Sequence, residues 1–355
     1  MNTHPYAGGL PRAIKRFKTN GFLFVGDPQM SCVAPGRRLE DDFLTVTLDK
    51  LAQCRQLAEE GDLFVVFLGD MVENPDAKRA GTKRVVEDTN RMLTGYARAM
   101  HYRTAVTMPG NHDKAELRLR DGETLATMEA LGLIHVIEPS GPFAIFDIDG
   151  VKVGLGGTPY GEDIPRDVRG VFGEDVDKVV WITHSQFQFD ITNRYLPEVF
   201  EIKGCDMVVN GHDHTTQRPR VAGQTHWFNP GNITRLSVDM VDHVPSAWEW
   251  RPATPDGQLH QHVLRYNKAA FNLEGRQVAA DAQGAVESEA NRAKSLFAQL
   301  LSRDKDASST ELDRSASGDL IAEDIDRILT DNQRFGTGAQ LAIRSLHLRA
   351  PERLK

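Results

Sequence analysis

Five short clusters of polar residues, each placed where a predicted strand ends, constrain this sequence more than any other feature. Their side chains offer hard oxygen atoms and imidazole nitrogens, which are the ligands that a two-metal hydrolytic centre uses. In layered α/β domains, ligands collect beyond the carboxyl ends of the strands. The sequence therefore predicts an α/β domain whose strand ends converge on a metal centre. The clusters are Asp27-Pro28-Gln29, Gly69-Asp70, Gly110-Asn111-His112-Asp113, His184-Ser185 and Gly211-His212-Asp213-His214.

Apolar runs alternate with amphipathic segments in the first 110 residues. Residues 21–26 and 63–68 are short apolar runs, typical of strands that are buried on both faces. Between them, residues 39–60 carry apolar side chains at steps of three and four, which predicts a helix. A second helix is predicted over residues 86–102 and a third strand over residues 104–108. This alternation predicts a layered α/β domain.

The connections between predicted strands shorten after about residue 133, which indicates a second sheet. Its strands are predicted at residues 134–148, 151–155, 179–183, 207–210 and 225–228.

The metal-ligand pattern ends near residue 235, and the chain becomes polar and helical from about residue 286. These changes predict four parts: an N-terminal segment 1–20, a catalytic domain 21–238, a small capping region 239–280 and a helical C-terminal region 281–355.

Composition restricts the location and the partners. The 355 residues carry a formal net charge of −8, which excludes a uniformly basic nucleic-acid-binding surface but not a local basic groove. No stretch approaches the roughly 20 apolar residues of a membrane span. Three cysteines without CxxC spacing argue against a disulfide framework. We expect a cytoplasmic protein that does not bind membranes and shows no secretory signal.

The chemistry of the clusters favours phosphoester hydrolysis. The Asp70 carboxylate can bridge two cations, Asn111 offers a carbonyl oxygen, and His184 offers an imidazole. Two ions about 3.5–4 Å apart supply Lewis acidity and an activated water. His112 is then placed to protonate the leaving group, with Asp113 orienting it; Asp113 as a mere turn former remains an alternative.

The order of the clusters resembles the D-x-H, G-D, G-N-H-D, H and G-H-x-H series of the calcineurin-like metallophosphoesterase superfamily. The resemblance spans residues 22–235 and implies a four-layer α/β/β/α sandwich followed by a smaller mixed and helical region. It implies that His112 is the catalytic histidine and does not bind metal. It also implies two ion sites that share Asp70, with the ligands Asp27, Gln29, Asp70 and His214 in one and Asp70, Asn111, His184 and His212 in the other.

Residue 29 departs from that pattern, because it is Gln where His is usual. A carboxamide oxygen is a harder donor than an imidazole, which favours Mn²⁺ over softer metals, with Mg²⁺, Fe²⁺ and Zn²⁺ as the other candidates. Gln29 as a spacer beside Asp27 is the alternative.

A second, narrower resemblance involves residues 229–237, Asn-Pro-Gly-Asn-Ile-Thr-Arg-Leu-Ser. This segment is similar to the P-G-S-x-x-R-x-S segment of SbcD-type DNA-repair exonucleases, with Asn232 in place of the usual Ser. The resemblance implies DNA as substrate and a partner ATPase that docks on the C-terminal helices; a homodimer is a further expectation. Within this segment, Arg235 either contacts a phosphate or forms a stabilising salt bridge.

Three function classes remain open from the sequence. A DNA nuclease is preferred. A phosphatase or phosphodiesterase acting on nucleotides, phosphoproteins or other small phosphoesters is the alternative. A non-catalytic scaffold is the third, although such a protein is expected to have lost ligands that this sequence keeps.

Overall fold

The structure, a computed structural model, describes residues 14–74, 83–189, 196–252 and 259–273. The chain divides into two units, Met1–Gly275 and Arg276–Lys355, and every described residue belongs to the first. The helices predicted in 281–355 lie outside the described residues. No helix in the described ranges is both long and apolar enough to cross a bilayer.

The described part of the chain contains three α-helices and thirteen strands. The helices are α1 (Phe43–Gly61), α2 (Lys83–Met100) and α3 (Thr124–Ala130). The strands are β1 (Lys15–Lys18), β2 (Gly21–Val25), β3 (Leu63–Phe67), β4 (Ala105–Thr107), β5 (His135–Val136), β6 (Gly141–Ile148), β7 (Val151–Thr158), β8 (Lys178–Thr183), β9 (Met207–Asn210), β10 (Arg220–Ala222), β11 (Thr225–Phe228), β12 (Ser246–Trp250) and β13 (Leu259–Val263).

These strands form two mixed sheets. One has six strands in the order β13-β12-β2-β3-β4-β5, in which β2 to β5 are parallel. The other has seven strands in the order β1-β6-β7-β8-β9-β11-β10, in which β7, β8 and β9 are parallel. The fold is therefore a mixed α/β arrangement with two sheets, as the sequence predicts.

The central strands β2, β3 and β4 of the six-stranded sheet are buried on both faces, which explains the continuous apolar runs of β2 and β3. Phe22 and Phe24 belong to one core cluster together with Phe146 of the other sheet, and the rings of Phe22 and Phe146 meet edge to face at 4.8 Å. Leu23 and Val25 belong to a second cluster, which also contains buried apolar residues of the three helices. Burying one such side chain contributes about 1.5–3 kcal/mol, so this two-sided packing fixes the position of the strands.

Helix α1 is fixed at both ends by its capping residues. The Asp42 carboxylate accepts a hydrogen bond from the Thr45 amide at 3.4 Å, and Asp62 adopts a left-handed conformation after the last turn. The apolar stripe of α1, including Leu44, Leu51 and Cys54, packs on the sheet.

The outer face of the seven-stranded sheet carries a third cluster around Trp181 and Trp227. The described segments that cover it, 160–176 and 196–205, are irregular. A helical fourth layer on this side therefore stays a prediction.

Three elements are absent from the sequence-based prediction. β1 has the polar sequence KRFK and is an edge strand parallel to β6, so its apolar signal is weak. β10 has three residues, and α3 has seven. The predicted domain boundaries stay a prediction, but β12, which falls in the predicted capping region 239–280, pairs with β2.

Candidate metal centre

The five polar clusters meet at the carboxyl ends of parallel strands from both sheets. They follow β2, β3 and β4 in one sheet and β8 and β9 in the other. Because the two sheets face each other, loops more than 100 residues apart in the sequence come within hydrogen-bonding distance. His212 Nδ1 lies 2.9 Å from Asn111 Oδ1, and Gln29 Nε2 lies 3.3 Å from His214 Nε2.

One half of the centre is formed by Asp70, Asn111, His184 and His212. Ligand atoms of Asp70, His184 and His212 all lie within 4.8 Å of one another. His184 Nε2 is 3.1 Å from Asp70 Oδ2 and 3.2 Å from Asn111 Oδ1. His184 Nδ1 donates to the Leu68 carbonyl at 2.7 Å, because a carbonyl can only accept, and this contact leaves Nε2 to face the other ligands.

The other half contains Asp27, Gln29 and His214, again beside Asp70. His214 Nε2 is 3.8 Å from Asp27 Oδ2, and Gln29 Nε2 is 3.5 Å from Asp70 Oδ2. Asp27 Oδ1 and Gln29 Oε1 are buried without a hydrogen-bond partner in the described part of the chain. Buried acceptors are rarely left unpaired, so these two oxygens fit a bound cation. A half-turn of the Gln29 amide about its two-fold terminal torsion exchanges its oxygen and nitrogen.

The backbone is strained at three of the predicted ligand positions. Among the described residues, the non-glycine residues Gln29, Asp70 and His212 have φ values of 43°, 45° and 77°. Such conformations persist where surrounding contacts enforce them and are frequent at functional sites. The sequence contains no signal for this strain.

Two glycines are required by close approach. A Cβ at Gly110 would lie 2.1 Å from Asp70 Oδ1, and one at Gly69, where φ is +91°, would lie 2.6 Å from His184 Nδ1. A side chain at either position would displace a predicted ligand.

Burial and neighbouring charges shift the pKa values of the residues in the centre. Burial raises the pKa of Asp27 to about 7. Burial alone would lower the pKa of His184, but the adjacent Asp70 and Asp27 raise it to about 10. Burial lowers the pKa of His212 to about 3 and that of His214 to about 4, so both are neutral imidazoles at pH 7. Metal binding requires neutral imidazoles and ionised carboxylates, and a divalent ion would replace the proton that His184 shares with Asp70.

His112 is positioned by the loop that follows β3. Its Nδ1 contacts the carbonyl oxygen of Glu73 at 2.7 Å, and the Glu73 carboxylate is 3.8 Å away. The carbonyl requires Nδ1 to carry a proton, which leaves Nε2 as the atom for proton transfer. Burial lowers the pKa of His112, but Asp70 and Glu73 outweigh burial, and the net shift is upward.

Asp113, predicted to orient His112, makes different contacts. Its fully buried carboxylate accepts from the amides of Gly110 at 2.9 Å and Val72 at 3.1 Å, and so joins the loops after β3 and β4. The residue whose carbonyl contacts His112 Nδ1 is Glu73, which the sequence analysis missed. Its only sequence signal is an acidic residue three positions after Asp70. A catalytic role for Asp113 stays a prediction.

Two further residues support the histidines and were also missed. Asn210 accepts from Thr183 Oγ1 at 2.8 Å and donates to Ser185 O at 2.9 Å, which holds the loops after β8 and β9 together. The Tyr160 ring centroid lies 5.7 Å from that of His212.

Arg235 is held by backbone carbonyls and forms no salt bridge with a described residue. The residue is 3% exposed, and its guanidinium donates to the carbonyls of Val241 and Asn267 and lies 4.8 Å from the Tyr266 ring centroid.

Comparison with known families agrees with this geometry. The family model described as calcineurin-like phosphoesterase matches residues 21–216, more than half of the chain. The chain belongs to the calcineurin-like phosphoesterase family. It is therefore a hydrolase that acts on phosphoester bonds with divalent metal ions. This match assigns the family and does not assign the predicted SbcD-type branch within it.

The search of curated proteins gives no match. Among solved structures, the chain is similar to a crystal structure of a hypothetical protein from Thermus thermophilus. The two are 12% identical, with a TM-score of 0.39, and the match covers 69% of this chain and 99% of that one.

The unpaired oxygens, the cluster of Asp70, His184 and His212, and the neutral imidazoles all fit the divalent ions that the family uses. Asp27, Gln29 and His214 would hold one ion, and Asn111, His184 and His212 the other, with Asp70 between them. The ions supply Lewis acidity toward a phosphoryl oxygen. The protein's own residues orient these side chains, and a role of His112 Nε2 in proton transfer stays a prediction.

Proposed function

We propose that this phosphoesterase cleaves the phosphodiester backbone of DNA as an exonuclease, with Mn²⁺ as its preferred ion. The observation that carries the proposal is segment 229–237, which is similar to a segment of SbcD-type exonucleases and lies directly against the histidine loop. Asn232 N donates to His214 O at 3.0 Å, and Asn229 Nδ2 donates to Asp213 O at 2.8 Å. The segment thus supports the His214 side of the centre.

In this proposal, His112 Nε2 protonates the oxygen that leaves from phosphorus. The Glu73 carbonyl fixes the ring orientation, and the negative charges of Asp70 and Glu73 favour the protonated imidazole that an acid catalyst needs. Gln29, as a hard oxygen donor, supports the preference for Mn²⁺.

A partner ATPase belongs to the same proposal. Residues 281–355 would supply the docking surface. Size-exclusion chromatography of the full chain, alone and with a candidate ATPase, tests this part and also distinguishes a monomer from a homodimer.

Hydrolysis of a small phosphoester is the second candidate, and the net charge of −8 favours it, because DNA binding depends on cationic contacts with phosphates. The substrate would then be a nucleotide, a phosphoprotein or another small phosphoester.

One substrate panel separates the two candidates. Linear DNA, a cyclic nucleotide and bis-p-nitrophenyl phosphate are incubated with the enzyme and Mn²⁺ over a range of salt concentrations. A nuclease degrades DNA and loses DNA affinity steeply as salt rises. Intact DNA at high enzyme concentration, with turnover of the small esters, rejects the nuclease proposal and supports the second candidate.

His112→Asn is the catalytic control for every substrate. Loss of a general acid lowers the rate by about 10²–10⁴-fold, and the loss should be larger for DNA, whose leaving alkoxide needs a proton, than for a p-nitrophenolate. Equal rates of variant and wild type on DNA would remove His112 from the mechanism.

A further inference from the structure

An aromatic side chain borders the metal centre at the point where the loop after β7 meets the loop after β4. Strands β7 and β8 are parallel, and Thr158 at the end of β7 pairs with Thr183 at the end of β8. His184 directly follows Thr183, so the residues after Thr158 lie beside a predicted metal ligand. The second of these residues is Tyr160.

Tyr160 is fixed by its backbone and by its ring. Its amide donates to the Pro109 carbonyl at 2.9 Å, which joins it to the loop after β4. Its ring centroid lies 5.7 Å from that of His212, with the two planes inclined by 30°, and 6.3 Å from that of His184, at 75°. The ring therefore stands directly beside two imidazoles that would hold an ion.

The surroundings of this ring are apolar and partly open to solvent. Tyr160 is half-buried, and the neighbouring Leu117 is 62% exposed. A Cβ at Gly161 would lie 3.4 Å from Leu117 Cδ1, so the loops after β4 and β7 meet again at this point. The Leu117 carbonyl accepts from the buried Lys114 ammonium at 2.6 Å, which holds its backbone. Tyr160 and Leu117 thus form an apolar rim with a fixed base.

A fixed aromatic ring beside a phosphoryl-binding centre suits a planar group on the substrate. Aromatic rings pair favourably with other π systems, and stacking on an aromatic side chain accepts any nucleobase, because every base has a π face. An aliphatic group gains only from the apolar area that it buries. The rim should therefore favour esters of nucleosides or aryl groups over those of small aliphatic alcohols.

We propose that Tyr160 determines substrate specificity by stacking on a planar group, such as a nucleobase, carried by the phosphate that the ions bind. The inference rests on the phosphoester chemistry of the family, and its application to nucleobases rests on the proposed function. DNA and nucleotides both supply such a group, whereas a phosphoserine or phosphothreonine side chain does not.

Calorimetric titration of the metal-loaded full chain with phenylphosphonate and with ethylphosphonate tests the proposal. Both ligands present the same phosphonate group to the ions, and neither has an ester bond that the enzyme could hydrolyse. The ratio of their dissociation constants is the decisive quantity, because damage to the metal centre itself weakens both ligands alike.

Three variants separate the ring from the rest of the protein. Tyr160→Leu removes the ring, and Tyr160→Phe keeps it. Tyr102→Leu is the matched control, because Tyr102 is 74% exposed and precedes β4, at the edge of the sheet opposite to the metal centre. Bound metal is measured in each variant by elemental analysis.

We expect the wild type to bind phenylphosphonate about tenfold more tightly than ethylphosphonate, since the phenyl group buries more apolar area and stacks on the ring. Tyr160→Leu should reduce this preference about three- to tenfold, as the loss of an aromatic pair does. Tyr160→Phe and Tyr102→Leu should keep the wild-type ratio.

Three results overturn the proposal. The first is a wild type that binds both phosphonates equally tightly, and this result needs no variant. The second is an unchanged ratio in Tyr160→Leu, which a ring that only supports His212 would give. The third is a loss of preference in Tyr160→Phe as large as in Tyr160→Leu. Degradation of DNA is a separate readout, so failure of this inference is distinguishable from failure of the nuclease proposal.

Discussion

Replacing Gln29 by Met tests whether the carboxamide at this position is a metal ligand. The side chain is 1% exposed and its Oε1 has no described hydrogen-bond partner, while Nε2 lies 3.3 Å from His214 Nε2. Met has a similar length and volume but offers no hard oxygen, so the change removes the ligand atom without opening a large cavity.

The structure predicts different effects on the metal-free and metal-loaded protein. Removing an unpaired buried acceptor recovers about 1–3 kcal/mol, and losing the contacts of Nε2 with His214 and Asp70 costs about 0.5–1.5 kcal/mol each. These contributions nearly cancel, so the metal-free variant should unfold within about 2–4 °C of the wild type.

With metal, the variant should lose stability relative to the wild type. Saturation of one site at a hundred times its Kd stabilises a protein by about 2.7 kcal/mol, or roughly 5–10 °C in Tm. A tenfold loss of affinity removes about 1.4 kcal/mol of this at the same metal concentration. The rise in Tm on adding Mn²⁺ should then shrink by about 3–6 °C in Gln29→Met.

The assay is thermal unfolding of the full chain after chelation and after addition of Mn²⁺, with bound metal measured by elemental analysis. Gln56→Met, on the exposed face of α1, is the matched control and should behave as the wild type. A metal-induced rise in Tm that is the same in Gln29→Met and wild type would refute the ligand role and leave Gln29 as a spacer.

Three other predictions follow from local geometry. Gly110→Ala places a Cβ against Asp70, so bound metal and turnover should fall at least about a hundredfold. In the control Gly36→Ala, the added Cβ meets no atom within 4 Å, and metal content and turnover should stay normal. Normal metal content in Gly110→Ala would contradict the geometry. Arg235→Met leaves backbone carbonyls unpaired and should lower the free energy of unfolding by about 3 kcal/mol, measured in urea; an unchanged urea midpoint would show that these contacts are dispensable. Burial, assisted by the charge of Asp88, raises the pKa of Cys32 to about 11, so only about a thousandth of this thiol is ionised at pH 8. Its reaction with Ellman's reagent should be slow in the native protein and should accelerate about tenfold per pH unit toward pH 11. A rate equal to that in the denatured chain would disprove the raised pKa.

Strand and helix positions around the centre follow closely from the sequence. The runs 21–26 and 63–68 were predicted as buried strands, and β2 and β3 occupy residues 21–25 and 63–67. Those strands are apolar at every position because both faces are buried, and so the pattern is unambiguous. β1 was missed because this edge strand has mostly polar side chains, and β10 because three residues are too few to produce a pattern.

The contacts among the loops could not be predicted from the sequence as well as the strands. Glu73 carries no pattern that associates it with His112, since the contact is made by its backbone carbonyl, which every residue possesses. Asp113 illustrates the reverse case. Its position beside His112 suggested a direct contact, but the turn points its carboxylate at the amides of Gly110 and Val72.

The sequence by itself determined the chemistry of this protein, because the kinds of ligand atom and their order along the chain are properties of residue types. It also determined where the buried strands lie, because burial on two faces demands uninterrupted apolar residues. Only the tertiary structure decided which loops touch, since Asp70 and His184 belong to different sheets and meet at 3.1 Å through packing between the sheets.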